Sequence, residues 1–233
     1  MVYMETLQRK IAVVTGGTRG IGRAISERLL REGALVAICG RSQEPVERAV
    51  AEMAQLGSVY GRPADIRKVE DVREFFCWVE EKLGGLDILV NNAGEAVFRK
   101  VAEMQTEEWL RNIDLNLNAA YYCSHEALAS FAKRGGGFIV NISSLAGKNA
   151  FSGGAAYNAS KFGLNGFSEA LMLDHRYDNV RVSCIILGGA GDRFLSPASV
   201  WQSGLRRLAD HRQRRSAPPG TSILPIISGA DHQ

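Results

Sequence analysis

The chain has no apolar run approaching the ~18–20 residues that a helix needs to cross a bilayer, so no membrane association is expected. Its first stretch, Met1 to Lys10, contains nothing like the apolar core of a secretion signal. Cysteine is scarce: Cys39, Cys77, Cys123 and Cys184 show no paired spacing, and three lie inside apolar segments. That pattern predicts reduced, buried thiols in a cytoplasmic protein. With 4 scattered histidines and no clustered ligands, no metal site is expected. Charge of one sign is also lacking over most of the length. Residues 1–191 carry 22 basic and 22 acidic side chains, so the net charge of +3 arises from the 6 Arg and 3 Asp of residues 192–233. These arginines have no interleaved aromatics and read as a solvated face, with no nucleic-acid partner expected.

What remains is ordinary for one domain with a substantial core: 233 residues, 45% hydrophobic and 23% charged. Ile11 to Thr15 is a β-branched run that breaks into Gly16-Gly-Thr18-Arg19-Gly20-Ile21-Gly22. Helical spacing of Ala24, Ile25, Leu29 and Leu30 follows, up to Arg31. A strand, a glycine loop and a helix in that order place a diphosphate on a helix amino terminus. Ala34 to Cys39 is a second strand, ending at Gly40-Arg41. An NAD site usually has a carboxylate here for the ribose hydroxyls, whereas an Arg suits a 2′-phosphate. Arg41, with Arg19 as a second clamp, therefore tilts the expectation to NADP(H).

Further units follow. Val59-Tyr60 leads to Ala64-Asp65, and Val69 to Leu83 is amphipathic. Leu86 to Val90 is a strand that ends in Asn91-Asn92-Ala93-Gly94, a small-residue turn suited to a flat ligand. Thr106 to Lys133 reads as one long helix, with Trp109, Ile113, Leu117 and Tyr121 at helical spacing, and it carries Asn116. Gly135 to Gly137 separates it from the strand Phe138 to Ser143. A helix over Ala155 to Arg176 and a strand over Val180 to Ile186 complete the pattern. Strands alternating with helices predict an α/β fold, a Rossmann-type doubly wound parallel sheet in a single domain.

Tyr157 and Lys161 are 4 apart, so on a helix they share a face. Many helices carry such a pair for packing and solvation alone. Its chemical use is different: a free phenol titrates near ~10, and an ammonium beside it favours the phenolate, moving proton transfer towards neutral pH. Ser144, after the Phe138 to Ser143 strand, has a hydroxyl placed for a substrate oxygen at a strand's carboxyl end.

With these motifs together, the sequence resembles the short-chain dehydrogenase/reductase family, and within it the 3-oxoacyl-carrier-protein reductase-like NADPH ketone reductases. The resemblance rests on Thr15 to Gly22, Asn91 to Gly94, Asp114-Leu-Asn116-Leu, and Ser144, Tyr157 and Lys161 at spacings of 13 and 4. It covers roughly residues 9–186. It implies that Tyr157 protonates the carbonyl oxygen in reduction, Lys161 assists it and holds the nicotinamide ribose, Ser144 orients the carbonyl, and Asn116 positions a water in the proton relay. It also implies that Gly16, Gly20, Ile21 and Gly22 face the pyrophosphate, beside Thr18 and Arg19 in the same loop. Asp65 and Ile66 would face the adenine, and Asn92, Ala93 and Gly94 the ribose. A ketone or secondary alcohol is the implied substrate, a 3-oxoacyl compound being one candidate. A homotetramer or homodimer, built through the helices of Asn116 and Tyr157, is the implied assembly.

After Ile186 the likeness stops: the family's Pro-Gly and its following Thr are replaced by Leu187-Gly188-Gly189-Ala190-Gly191-Asp192. Residues 1–186 are thus expected to be the catalytic dinucleotide-binding part, and residues 187–233 an atypical C-terminal tail where lid and last strand belong. Ile223 to Ile227 is its one strand-like run, interrupted by Pro225. Two functions follow: an NADP(H)-dependent oxidoreductase, or a catalytically impaired NADPH-binding protein whose altered tail cannot close over substrate. The tail's loss of hydrophobic order suggests a reading-frame change, unusual splice or deletion. Reading the coding DNA in its other two frames checks this: one frame is expected to encode Pro-Gly, a nearby Thr and a terminal strand. If neither does, and the tail of the purified protein resists proteolysis, the frame-change idea is wrong.

Overall fold

Ile11–Thr15, buried at every position, forms β1 of a six-stranded sheet. An all-apolar strand of this kind needs helices on both faces of its sheet. The protein is seen as a computed structural model that describes residues 7–188. In chain order follow α1 (Gly20–Arg31), β2 (Leu35–Gly40), α2 (Gln43–Met53), β3 (Val59–Pro63), α3 (Val69–Leu83) and β4 (Ile88–Asn91). The second half holds α4 (Thr106–Ile113), α5 (Ala119–Arg134), β5 (Gly137–Ser144), α6 (Ala155–Asp174) and β6 (Val180–Leu187).

All neighbouring strands pair in parallel, in the order β3-β2-β1-β4-β5-β6. The chain runs outward from β1 to β3, then returns to the other side of β1 with β4. The direction of winding therefore switches between β1 and β4, and the crevice beyond their carboxyl ends is where an open α/β sheet binds ligands. The expected doubly wound Rossmann-type sheet is present.

One face is covered by α1 and α2, where Ile25, Leu29, Ala49 and Met53 meet Val14, Ile38 and Val90. The other is covered by α3, α5 and α6, where Phe75, Val79, Cys123, Phe131 and Leu171 meet Val13, Leu89 and Ile139. α2 has no counterpart among the sequence-based expectations, although Val46, Ala49 and Met53 give its buried stripe.

Two expectations need correction. The long helix from Thr106 is not uniform: Asp114–Asn118 is a π-turn between α4 and α5, with Ala119 N–H bonded to Asp114 O five residues back. Its apolar stripe is not core, since Trp109 and Tyr121 are exposed and the buried side carries Asn112, Asn116, Ala119 and Ala120. Amides rather than large apolar groups face the site, so the bulky residues turn outward. Of the four thiols, Cys39, Cys123 and Cys184 are buried as expected, but Cys77 is exposed on α3. The expected seventh strand and the rest of the tail beyond Gly188 lie outside the described residues.

Candidate active site

The glycine loop leaves β1 through Gly16, whose φ of +65° favours a residue without a side chain, and enters α1 through Gly20 at φ +55°. A Cβ on Gly22 would lie 2.3 Å from both Asn92 Nδ2 and Gly16 O, so only glycine lets α1 start this close to β1 and β4. The first turn of α1 contains no acidic side chain. Its amino terminus thus keeps the positive field and free N–H groups that suit a diphosphate. Arg19 precedes it, exposed, and Arg41 stands exposed just past β2. A Cβ at Gly40 would come within 3.1 Å of Thr18 Cγ2. A side chain at that position would need the Thr18 methyl to give by a few tenths of an ångström. These residues fit a nicotinamide dinucleotide.

Asp65 and Ile66 follow β3. The Asp65 carboxylate accepts from Arg67 Nε at 2.8 Å and Nη2 at 2.5 Å, and that pairing holds it below the usual carboxylate range. Ile66 is buried in the core. Both side chains are therefore committed internally, and a cofactor would meet this segment's outer surface.

The carboxyl end of β4 is tied to β1 and to the π-turn. Thr15 Oγ1 accepts from Asn92 N and Ala93 N, each at 3.0 Å, while Asn92 Nδ2 donates to Thr15 O at 2.9 Å. Asn116 is almost wholly buried. Its Oδ1 accepts from Glu95 N at 2.9 Å, and its Nδ2 donates to Glu95 O at 2.8 Å, Asn112 Oδ1 at 2.9 Å and Ser160 Oγ at 3.1 Å. This two-way clasp fixes the loop after Gly94. A Cβ on Gly94 would strike Asn116 Oδ1 at 2.6 Å. A π-turn at such a point is a frequent mark of a functional site, because it re-aims a side chain without ending the helix.

Ser144 is the last residue of β5. Its Oγ accepts from Ala146 N at 3.2 Å and, among the described residues, donates to nothing, so its hydrogen is free for a ligand oxygen. Tyr157 and Lys161 lie one turn apart on α6, with Nζ 5.8 Å from the phenol ring centroid. Lys161 is only 5% exposed, and its Nζ donates to Ile142 O at 2.9 Å. Burial pushes its ammonium down to about 8.

Asn116, Ser144, Tyr157 and Lys161 all line one cavity of about 570 Å³, together with Ile21, Asn92 and Gly94. The residues singled out by spacing thus share one cavity. Spacing misses the amides that hold them. Asn158 Nδ2 donates to Ala146 O at 2.6 Å and to Asn149 O at 3.1 Å, which staples the turn after Ser144 to α6. Asn165 Nδ2 donates to Gly147 O at 2.9 Å, and its Oδ1 accepts from Ser143 Oγ at 2.6 Å. The signal available for both was an amide repeated 7 residues, about two turns, apart along the Tyr157 helix. Phe98 and Phe151, on the cavity's outer wall, were also missed.

A family model described as "short chain dehydrogenase" matches residues 10–198, 12 residues beyond the Ile186 where the motif likeness stops. The chain is 36% identical over 185 residues to 3alpha-hydroxysteroid dehydrogenase of Mediterraneibacter gnavus, covering 78% of this chain and 74% of that protein. Among solved structures, a metagenomic short-chain oxidoreductase in complex with NADP is similar with a TM-score of 0.80 and 35% identity, covering 88% of this chain and 92% of that one. Actinorhodin polyketide ketoreductase with NADPH is similar with a TM-score of 0.77 and 34% identity, covering 84% of this chain and 75% of that one.

Lys161 gives a test of the site's electrostatics. Below about 8 it is charged both folded and unfolded, and its burial costs stability; between about 8 and 10.5 the folded protein has released the proton while the unfolded chain keeps it. Stability from this group therefore rises with pH across that window. Urea unfolding should show the parent gaining on Lys161→Met by on the order of 2–3 kcal/mol between pH 7 and pH 10. A constant difference, or one that moves the other way, contradicts the assignment.

Proposed function

The chain belongs to the short-chain dehydrogenase family, and we propose that it is an NADP(H)-dependent oxidoreductase interconverting a ketone and a secondary alcohol. The observation that carries this reading is the convergence of Ser144, Tyr157, Lys161 and Asn116 on one cavity beside the glycine loop.

A bound dihydronicotinamide would supply the hydride for the carbonyl carbon. The chain's own part is orientation and proton transfer. Ser144 Oγ donates to the carbonyl oxygen. Tyr157 gives the same oxygen its hydroxyl proton, completing a secondary alcohol. Lys161 holds the nicotinamide ribose, and its position behind the Tyr157 ring lets it return a proton there. Asn116 positions the loop after β4 and, at the end of the relay, a water. Gly16, Thr18, Gly20, Ile21 and Gly22 cradle the diphosphate, and Arg19 and Arg41 take the 2′-phosphate. Asp65 and Ile66 border the adenine, with Asn92, Ala93 and Gly94 along the ribose. The exposed Trp109, Tyr121 and Phe162 on the helices flanking the site support a homotetramer or homodimer built there. Four free thiols support a reducing, cytoplasmic setting.

Two substitutions test the reading. Tyr157→Phe removes the proton donor and should lower kcat by ~10²–10⁴ with NADPH affinity nearly kept. Retention of most of the activity would show that the proton comes from elsewhere. NADPH binding to the parent with no turnover of any carbonyl would favour the impaired-protein alternative. For cofactor choice, a charge-assisted hydrogen bond is worth ~1.5–3 kcal/mol, about ten- to a hundredfold. NADPH should therefore bind at least tenfold tighter than NADH, and Arg41→Ala should erase most of the gap; equal affinities in the parent refute the 2′-phosphate assignment.

A further inference from the structure

Beyond Tyr157 the cavity wall turns aromatic. The rings of Phe98 and Phe151 lie with centroids 5.7 Å apart, and Phe98 meets the Tyr157 ring edge-on at 5.9 Å with planes 88° apart. Both line the cavity, and at 61% and 47% exposure both keep free ring surface.

The segments carrying the two rings are fixed to each other. Arg99 N donates to Gly153 O at 2.8 Å, which joins the Phe98 loop to the Phe151 turn. Arg99 also pairs with Glu108 at the start of α4, through Nε to both carboxylate oxygens at 2.8 and 3.0 Å. Phe151 N donates to Asn158 Oδ1 at 3.4 Å, one residue beyond Tyr157. A Cβ on Gly154 would sit 2.6 Å from the Phe151 ring, so that ring packs directly on the glycine backbone. Two large apolar groups are thus held at the mouth of the site by polar bonds that leave their faces open.

Charge points the same way. Among the described lining residues, Glu95 and Lys161 are the ones with ordinarily charged side chains. Glu95 is paired with Arg111 at 2.6 Å, and Lys161 Nζ is given to Ile142 O. An anionic substrate would find one carboxylate there, and the one lining cation, Lys161, is the group assigned to the cofactor ribose.

We propose that Phe98 and Phe151 form an aromatic wall that selects uncharged, ring-bearing ketones and their secondary alcohols over open-chain or anionic ones. The proposal rests on the oxidoreductase reading of the same cavity. A rigid ring gains offset or edge-to-face contact with the two phenyl groups. It also surrenders less conformational freedom on binding than a flexible chain of the same size. The carbonyl is then presented to Ser144 and Tyr157 at the edge of the stack.

The test compares 2-tetralone with 2-decanone, which has the same carbon count, and with the anion levulinate, by NADPH oxidation. The parent should show a kcat/KM for 2-tetralone about tenfold above that for 2-decanone, with levulinate lowest. Phe98→Ala should reduce the tetralone-to-decanone ratio by about tenfold, as should Phe151→Leu, which keeps bulk over Gly154 but removes the ring. A parent that prefers 2-decanone or levulinate overturns the proposal, as does a ratio unchanged in both variants. Calorimetric titration of the two uncharged ketones into NADP⁺-loaded protein separates the two readings. Tighter, Phe98-dependent binding of 2-tetralone without turnover keeps the wall and removes the oxidoreductase reading. Equal binding of the two ketones removes the wall whatever the turnover.

Discussion

A single buried cation governs the arrangement of the site. The ammonium of Lys161 is nearly sealed from water, and the described protein gives it one hydrogen-bond acceptor, Ile142 O. Burial drives its proton affinity down, and the molecule sustains that cost at neutral pH. A group kept in such a state is a functional-site marker when it sits in a cleft. An ammonium can donate three bonds, and the ribose hydroxyls of a bound dinucleotide would suit the others.

The surrounding elements follow from that requirement. β5 must end where Ile142 O can reach Nζ and Ser144 can face the cavity. Asn158 and Asn165 hold the turn after Ser144 against the helix that carries Tyr157 and Lys161. Gly94 must lack a side chain, because a Cβ there would sit 2.6 Å from Asn116 Oδ1. The π-turn lets Asn116 clasp the Glu95 backbone without breaking the long α4–α5 stack. Buried polar groups of this kind are tolerable only when their hydrogen bonds are made, and most here are. Asn91 Oδ1, beneath the same strand end, is the one described buried side-chain oxygen without a partner.

Much of this was legible in the sequence because it depends on spacing or on glycine. Alternating apolar runs gave the strands and every long helix but α2, Gly16 to Gly22 gave the loop, and the four-residue interval of Tyr157 and Lys161 gave the shared helix face. The π-turn was not legible: the apolar spacing runs through Asp114 to Asn118 unbroken, and one i→i+5 bond leaves no periodic trace. The exposure of Trp109 and Tyr121 was hidden for a related reason, since periodicity says that residues share a face but not what that face meets. Phe98 and Phe151 lie in irregular segments, where neither period applies and only the assembled fold brings them together. The role of the tail beyond Gly188 is carried by a loss of motif in the sequence, and lies outside the described residues.

On the proposed reading, Lys161 is a desolvated ammonium that holds the dinucleotide ribose. Its titration can be followed directly by NMR of the lysine side chain, assigned with Lys161→Met, in the free protein and with saturating NADPH. The free protein should titrate near 8, as burial dictates. NADPH should move that value upward, because hydrogen bonds to the charged form favour it. An ordinary lysine value near ~10.4 in the free protein, unmoved by NADPH, would contradict the account.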